Sequence, residues 1–501
     1  MTLGMVVGAS RSLSLPLCLG LAVLGIVLYF MLYSKAAGLD HIPGPLLARY
    51  TNLHAWTNAQ RNWGSNVCYL RALHEKYGDV VRVAPRRVSV SNPDAIPHIY
   101  SVKAALDKAD LMGAARPLGT SPNNLFSVRD NKVHSQMRRA IANAYAVSTI
   151  IHYEPRIDDT LTALFRILES VDSETNLGRW IHYYIYDVAG NMTYSQPLGY
   201  LENRCDAMHL AKQTKSLHRY VNLTMPMPIL DTILRIPLRF FKVNRQYIFH
   251  QLSEKKVMER LDENKATEAK SDILDHYIAS REKYPDQMTT DQIIAHCEVN
   301  VIGGVGTSAT STRNILQYLV DTPSAQDRLY SELKAANVSW PTTWRETQAL
   351  PYLEGLVREG IRLRASDGFN PIGRVVGADG LVLPGGVALP PGTVVGVKPS
   401  VASVQARTFG ARPYEFRPGR WLRAEGEDPA AYDERRARME RGDMSFGAGT
   451  RGCIGRGIAL MQIYKLVATL VCRYKLLPAE KVHAPEDRYD FFCVLQPRQG
   501  N

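Results

Sequence analysis

The feature that most constrains the fold is an uncharged apolar run near the N-terminus. Leu13 to Tyr33 contains no charged residue over about 20 positions, which is enough for a helix to cross the hydrocarbon core of a bilayer. A cleavable signal peptide is the alternative, but its apolar core would be shorter and followed by small residues at a cleavage site. Here aromatic residues and Lys35 follow instead. The run therefore predicts an uncleaved, single-pass membrane anchor.

A Pro-Gly-Pro sequence predicts where the chain turns away from the membrane. In "HIPGPLLARY", Pro43 and Pro45 flank Gly44, and proline cannot continue a helix because it lacks a backbone donor. The segment is either an ordinary linker or a stiff hinge that fixes a catalytic body against the membrane. We expect an anchor at residues 1–36 and a Pro-rich hinge and linker at residues 37–65.

Net charge and cysteine content indicate the cellular compartment and the class of partner to expect. The formal net charge is +12, which suits an anionic membrane surface or an acidic protein partner. No Lys/Arg run is interleaved with aromatic residues, so we expect no nucleic acid partner. The seven cysteines are scattered and form no C-x-x-C pair. This favours a reducing compartment over a disulfide framework or a structural zinc site.

Hydrophobic periodicity predicts a mainly α protein with a small β part. From about residue 66 to residue 350 the apolar spacing is mostly helical, as in "VCYLRALHEKYG". The alternating segment "VVRVAPRRVSVSN" predicts a hairpin, and the Val-rich, Gly- and Pro-punctuated segment between residues 370 and 400 predicts short strands. Another helix is predicted just after Cys453. The charged segment "AEGEDPAAYDERRARMERGD" predicts a solvated loop or helix face.

One cysteine lies in an unusually constrained loop, "FGAGTRGCIG". Cys453 is surrounded by glycines, with Phe446, Gly449, Arg451 and Gly455 at fixed spacing. Glycines let a loop bring sulfur close to a metal, and backbone N–H groups around the sulfur tune its electron donation. The arginine is a cation of the kind that binds carboxylates. The alternative is a buried, inert cysteine in a Gly-rich turn.

The segment "FGAGTRGCIGRGIA" resembles the cysteine-ligand loop of the cytochrome P450 family, F-x-x-G-x-R-x-C-x-G. The resemblance extends from the anchor to the C-terminus and is closest to fungal, pisatin-demethylase-like members. It implies the cytochrome P450 fold preceded by a transmembrane helix, with residues 66–501 as a heme-binding catalytic domain. It also implies heme b, with Cys453 as the axial ligand of the iron and with Phe446, Gly449, Arg451 and Gly455 around the cofactor.

Further motifs of the family occur upstream of the cysteine. The E-x-x-R motif matches Glu359 and Arg362 in "YLEGLVREGIRLR", and "FRPGRWL" supplies Arg420 as the third member of a structural network. The usual Glu before that arginine is replaced by Gly419. Without the resemblance, Glu and Arg at this spacing would indicate a solvated helical pair.

The resemblance also implies contacts with the heme propionates. In "HSQMRRAIANAY", His134 takes the place of the family's tryptophan and Arg138 matches its arginine. Arg374, at the start of the strand region, matches another propionate contact by position alone. The alternative for the helical pair is an arginine-rich helix surface.

The segment "NVIGGVGTSATSTRN" matches the family's oxygen-activating helix, A/G-G-x-(D/E)-T-(T/S). Its small residues let the helix pass close to a heme face, and Thr307 and Ser308 match the catalytic hydroxyl positions. The adjacent acid, which normally relays protons from solvent, is replaced by Gly306. This departure puts the usual proton route in doubt. The alternative for Thr307 is a helix residue bonded to its own backbone.

The family reaction implies a monooxygenase that inserts one atom of dioxygen into a hydrophobic small molecule, here a fungal secondary-metabolite intermediate. Electrons would come from NADPH through NADPH-cytochrome P450 reductase. The implied location is the endoplasmic reticulum membrane, with the catalytic domain in the cytosol. Two alternatives stay open: a heme-thiolate enzyme catalysing desaturation, oxidative coupling or rearrangement, and a membrane-tethered binding protein without heme.

By position, several residues match the family's substrate-contact segments. They are Val301, Thr307, Phe369 to Ile372, Phe491 and Phe492. The apolar, Pro-broken stretch from 221 to 237 either dips into the membrane as an access route for substrate or is an ordinary connection between helices.

Overall fold

A computed structural model describes residues 3–61, 66–110, 123–241, 247–263, 271–363, 373–480 and 489–498. These residues form a mostly helical body with three small sheets. The predicted fold class, mainly α with a small β part, is confirmed.

Most of the chain is helical, with the longest helices at the N-terminus and in the centre of the body. The first helices are α1 (Leu3–Lys35), α2 (Leu46–Tyr50), α3 (Leu53–Arg61), α4 (Asn66–Tyr77), α5 (Ile96–Tyr100), α6 (Asn131–Ile141), α7 (Val147–Ile150), α8 (Glu154–Leu168), α9 (Leu177–Tyr194), α10 (Tyr200–Asn203) and α11 (Leu210–Thr224). They are followed by α12 (Pro228–Phe240), α13 (Tyr247–Glu263), α14 (Ile273–Lys283), α15 (Thr290–Asp321), α16 (Pro323–Ala335), α17 (Trp344–Thr347), α18 (Pro351–Leu363), α19 (Pro399–Ala402), α20 (Ala406–Phe409), α21 (Pro429–Gly442) and α22 (Arg456–Arg473).

The strands are short and confirm the predicted β regions. They are β1 (Val80–Ala84), β2 (Arg87–Val90), β3 (Glu174–Asn176), β4 (Arg374–Val375), β5 (Leu381–Leu383), β6 (Val387–Leu389), β7 (Val394–Val397), β8 (Tyr474–Pro478) and β9 (Phe492–Pro497). The strand orders are β1-β2-β7-β4, β3-β9-β8 and β5-β6. The predicted hairpin is the antiparallel pair β1 and β2, and β2 runs parallel to β7.

The long helix α15 is the central element of the body. Its 32 residues span about 48 Å at the rise of an α-helix. The Thr289 side chain caps its N-terminus by accepting a hydrogen bond from the Gln292 backbone N–H at 3.3 Å. The helix packs against α9, α13, α18 and α22. Side chains such as Ile315 and Leu316 are fully buried, so α15 organises the main hydrophobic core.

The N-terminal helix lies largely outside the core. Its segment Leu17–Lys35 has a mean hydropathy of 2.2 and is 6% buried, which makes it long and apolar enough to cross a bilayer. The helix ends at Lys35, eight residues before the first proline of the predicted break. The chain turns through Gly38, whose φ is +64°.

The segment after α1 packs tightly on the body. Leu39 and Ile42 are 0% and 2% exposed, and the Arg82 backbone N–H donates to the Pro43 carbonyl at 2.8 Å. The fully buried Arg82 guanidinium also donates to the Ser34 carbonyl at 3.2 Å and to the Arg49 carbonyl at 3.3 Å. One side chain therefore links the end of α1, the region of α2 and β1.

Two further segments considered in the sequence are described as helices. The charged segment before the cysteine loop forms α21, which is mostly exposed. The stretch from 221 to 237 contains the end of α11, a break at the prolines and most of α12. Large apolar side chains of α12 are exposed, among them Ile236 and Phe240.

Candidate active site

The cysteine loop is closed by its own backbone. The Cys453 N–H donates to the Phe446 carbonyl at 2.8 Å, which folds the loop back immediately before α22. Gly449 has a φ of +66°, and a Cβ on it would lie 1.7 Å from the Tyr100 carbonyl oxygen. Only glycine fits there, because any side chain would both strain the backbone and overlap the end of α5.

The surroundings of the thiol act on its pKa in both directions. The Cys453 side chain keeps an exposed surface, but enough protein surrounds the sulfur for desolvation to raise its pKa. A hydrogen bond from the Gly455 backbone and the positive charges of Arg138 and Arg456 lower that pKa. Gly455 is also the N-cap of α22, so the positive end of the helix lies beside the sulfur. Desolvation is the largest of these effects, so the pKa of Cys453 lies above its ordinary value, while the hydrogen bond and the positive charges act toward the thiolate, the form that binds a metal.

Two arginines join the loop to α6. Arg138 donates through Nη1 to the Gly452 carbonyl at 2.8 Å. Arg451 donates through Nη1 to the Val128 carbonyl at 2.8 Å and through Nε to Asn131 Oδ1 at 3.0 Å. Arg451 is thus held by the chain just before α6 and by its first turn, and it positions that helix as well as contributing a positive charge.

A cluster of cations lies next to these arginines. Lys108 and Arg374 face each other in an antiparallel bridge, and both are at least 94% buried. Desolvation, followed by repulsion from Arg451 and Arg374, lowers the pKa of Lys108 to about 7. Desolvation and the charges of Arg451, Arg138, Lys108 and Arg374 lower the pKa of His134 to about 3. Desolvation is the larger effect on both groups, and the positive charges of Arg451, Arg374 and Arg138 close together make this region attractive to an anion.

Lys108 is a member of this cluster that sequence reasoning missed. It lies in the short segment "LDKADLMG", which carries no motif. Its Nζ donates a short hydrogen bond to the Phe126 carbonyl. Only the bridge to the strand region brings it opposite Arg374, so no local pattern could have identified it.

The middle of α15 has open space on one side. A Cβ on Gly303 or Gly304 would meet no atom within 4 Å, and Thr307 is exposed although it lies in the middle of the central helix. The Thr307 hydroxyl donates to the Gly303 carbonyl at 2.9 Å, which leaves its oxygen free to accept a hydrogen bond. Ser308 is 4% exposed, so the two predicted hydroxyls have different surroundings.

These features fit a heme. The exposed Cys453 beside α22 supplies a sulfur donor, the open side of α15 provides room for a flat group, and the buried Lys108 and Arg374 match carboxylates. The chemistry of the donor set and the room along α15 therefore agree with the cofactor that the sequence implies.

The E-x-x-R residues meet at a carboxylate with no exposed surface. Glu359 accepts from Arg362 Nη2 at 2.7 Å and from Arg420 Nε at 3.1 Å. It also accepts from Trp421 Nε1 at 3.0 Å. Arg362 reaches onward to the Pro413 carbonyl at 2.8 Å. The structure thus brings together the three predicted network residues and adds Trp421, and it does so with Gly419 in place of the usual glutamate.

Four of the predicted pocket residues are described, one of them the exposed Thr307. Val301 is 1% exposed, Phe491 is 4% exposed and Phe492 is partly buried. Phe369 to Ile372 lie outside the described residues.

Comparison with known proteins gives a consistent result. The sequence model of the family Cytochrome P450 matches residues 43–500. The chain is 32% identical over 486 residues to cytochrome P450 monooxygenase cicH of Emericella nidulans, covering 92% of this chain and 94% of that protein. It is 29% identical over 499 residues to cytochrome P450 monooxygenase vrtE of Penicillium aethiopicum, covering 95% and 89%. It is 30% identical to cytochrome P450 monooxygenase mfmA of Annulohypoxylon moriforme, covering 87% of each.

Replacing Glu359 tests the network. Glu359→Ala leaves Arg362 buried without its carboxylate, so we expect a loss of roughly 3 to 5 kcal/mol in stability. The measurement is the thermal midpoint and the yield of folded protein. Glu354→Ala is the matched control, because Glu354 lies on the same helix and pairs with Arg358 and Arg436 but is about 31% exposed. Its loss should cost about 1 kcal/mol. Equal effects of the two substitutions would contradict a special role for Glu359.

Proposed function

The chain belongs to the cytochrome P450 family, and on this premise we propose that it is a membrane-anchored heme-thiolate monooxygenase acting on a hydrophobic secondary metabolite. The family implies an oxidoreductase with a heme-thiolate iron, a redox partner, dioxygen and a small-molecule substrate. The observation that carries the proposal is the closed loop that presents Cys453 beside the N-terminus of α22.

Each predicted residue has a proposed role at the cofactor. Cys453 would hold the heme iron through its thiolate, and Phe446, Gly449, Arg451 and Gly455 shape the loop around that sulfur. His134, Arg138 and Arg374, joined by Lys108, face the carboxylates of heme b. The burial of Lys108 and Arg374 beside Arg451 supports this assignment, because an anion would offset the desolvation and the repulsion that lower the pKa of Lys108.

The protein's own residues supply orientation and proton handling. When bound, the heme supplies the activation of dioxygen with electrons from NADPH. We assign to the Thr307 hydroxyl the task of holding a proton beside the open face of α15, with its Oγ1 fixed by the Gly303 carbonyl. Ser308 follows it in the motif but is buried, so its role is to support the helix. Apolar residues such as Val301 and Phe491 exclude water.

The substrate class rests on the relatives and on the apolar pocket residues. The relatives compared are fungal proteins named as monooxygenases. A hydrophobic fungal intermediate, with one oxygen atom inserted from dioxygen, is the reaction we propose.

We propose that NADPH-cytochrome P450 reductase docks near α6. Lys132 and Arg139 are exposed on this helix, and α6 is tied to the cysteine loop by Arg138 and Arg451. A basic surface at this place suits an acidic partner and brings its electrons close to Cys453.

The membrane arrangement follows from the N-terminal region. We propose residues 1–36 as the anchor in the endoplasmic reticulum, residues 37–65 as the hinge and linker, and residues 66–501 as the cytosolic catalytic domain. The tight packing of Leu39 and Ile42 supports a stiff hinge. Helix α2 packs on α1, and Trp56 of α3 donates to the Leu223 carbonyl of α11 at 3.1 Å. These helices and α12 carry exposed apolar side chains suited to a bilayer surface: Leu46, Leu47, Leu53, Ile229, Ile233, Ile236 and Phe240.

The carbon monoxide difference spectrum of the reduced protein tests the central proposal. We expect a strongly red-shifted Soret band that Cys453→Ala abolishes, because the shift requires the thiolate ligand. Cys472→Ala, at a partly buried cysteine within α22, is the control and should keep the band. A folded parent protein without a heme signal would overturn the proposal.

Charge reversal on α6 tests the docking surface. Lys132→Glu combined with Arg139→Glu should slow reduction by the reductase several-fold at low salt, because electrostatic steering speeds association. Lys255→Glu, at an exposed lysine on α13, should leave the rate near that of the parent. A parent rate that does not fall as salt increases would count against this surface.

Loss of apolar side chains on α12 tests the membrane surface. In a chain lacking residues 1–36, Ile236→Ser with Phe240→Ser should lower partitioning onto lipid vesicles at least tenfold, since each buried side chain contributes about 2 kcal/mol. The control is Val102→Ser with Val147→Ser, two side chains exposed elsewhere by 74% and 72%. Sedimentation with vesicles measures both, and equal losses in the two variants would refute the assignment.

A further inference from the structure

The position that lacks the family's acid is close to a tyrosine hydroxyl. A Cβ on Gly306 would lie 3.1 Å from Tyr489 Oη and 3.9 Å from His218 Cε1. The first distance is tighter than an ordinary contact, so the hydroxyl occupies the space into which any side chain at position 306 would project. Tyr489 comes from the segment before β9 and His218 from α11, so two distant parts of the chain converge on one turn of α15.

Packing fixes the tyrosine ring. Tyr489 is 7% exposed, and its ring stacks on that of His182 with centroids 3.8 Å apart and planes 26° apart. The next residue, Asp490, accepts from Asn176 Nδ2 at 2.6 Å, and its carbonyl accepts from Arg313 Nη2 at 3.2 Å. The tyrosine ring and the adjacent backbone are therefore held in place by α9, α15 and the end of β3.

We propose that the Tyr489 hydroxyl takes the place of the missing acid beside Thr307, with His218 as the next group toward solvent. This rests on the proposed function. His218 is only partly buried, so in this proposal it is the group that exchanges the proton with solvent. Tyr489 is a positioning residue, because it acts through Thr307.

The chemistry of a hydroxyl suits this role. A phenol both donates and accepts a hydrogen bond, so a proton that leaves Tyr489 Oη toward Thr307 is replaced by one from the His218 side. The tyrosine undergoes no net change, and the protons are consumed with the electrons in the reduction of dioxygen. An acid at position 306 and a hydroxyl at Tyr489 would compete for the same volume, so the chain has one or the other.

A stability cycle tests the geometry without any turnover. Ala is a better helix former than Gly by about 1 kcal/mol, but in the parent a methyl group at position 306 would press on Tyr489 Oη. We expect Gly306→Ala to raise the thermal midpoint by about 1 to 2 °C more in a Tyr489→Phe background than in the parent. Equal shifts in the two backgrounds would show that the hydroxyl does not occupy this space, and would overturn the proposal.

A second experiment tests the proton role and needs no identified substrate. The full chain with NADPH-cytochrome P450 reductase, supplied with NADPH and dioxygen alone, partitions oxygen between hydrogen peroxide and water. We expect Tyr489→Phe to raise the peroxide share at least threefold. We expect Tyr489→Phe with Gly306→Asp to return it to within twofold of the parent, because the acid then fits and supplies the proton.

Controls separate this idea from the proposed function. Tyr184→Phe removes another buried hydroxyl from α9 and should leave the peroxide share unchanged. Each variant is compared at equal heme content, measured from the carbon monoxide spectrum. An unchanged peroxide share in Tyr489→Phe, or no rescue by Gly306→Asp, overturns the relay. A parent without the heme band overturns the proposed function instead, whatever the stability cycle shows.

Discussion

The site depends on a carboxylate that has no contact with water. Glu359 is bonded to Arg362, Arg420 and Trp421, and these partners belong to α18 and to the segment that leads to the cysteine loop. A buried carboxylate without its cations would be very costly, so the contacts form together or not at all. The network therefore fixes α18 against the segment Pro418–Trp421 upstream of the loop, and the loop itself is held by its own backbone bond and by Arg138 and Arg451.

A second constraint is electrostatic. Burying Lys108 and Arg374 beside Arg451 places like charges where water screens them poorly, and desolvation together with this repulsion lowers the pKa of Lys108. Proteins keep such clusters where a ligand balances the charge. The cations and the thiol therefore fit the same cofactor, heme. The cations suit its carboxylates, and the thiol suits its iron.

The features that could be predicted from the sequence are those specified by the spacing of residues within one short segment. The cysteine loop, the Glu359 and Arg362 pair and the turn of α15 around Thr307 each occupy one short segment, so residue order alone specifies them. The apolar run of α1 and the alternation of β1 and β2 are local in the same way. Lys108 and Tyr489 could not be found, because each reaches the site through long-range contacts: a bridge to Arg374 for one, and stacking on His182 for the other.

At position 306, a long-range contact changes how the sequence motif is interpreted. In the sequence, Gly306 stands where the family has an acid, so the motif alone does not identify a proton route. In the structure, the same glycine lies beside the Tyr489 hydroxyl, which is within contact distance of the position that a side chain would take. A Cβ at position 306 would lie 3.1 Å from Tyr489 Oη, so an acidic side chain there would compete with the hydroxyl for the same space. The glycine at position 306 and the tyrosine at position 489 therefore depend on each other: the small residue leaves the space that the hydroxyl occupies.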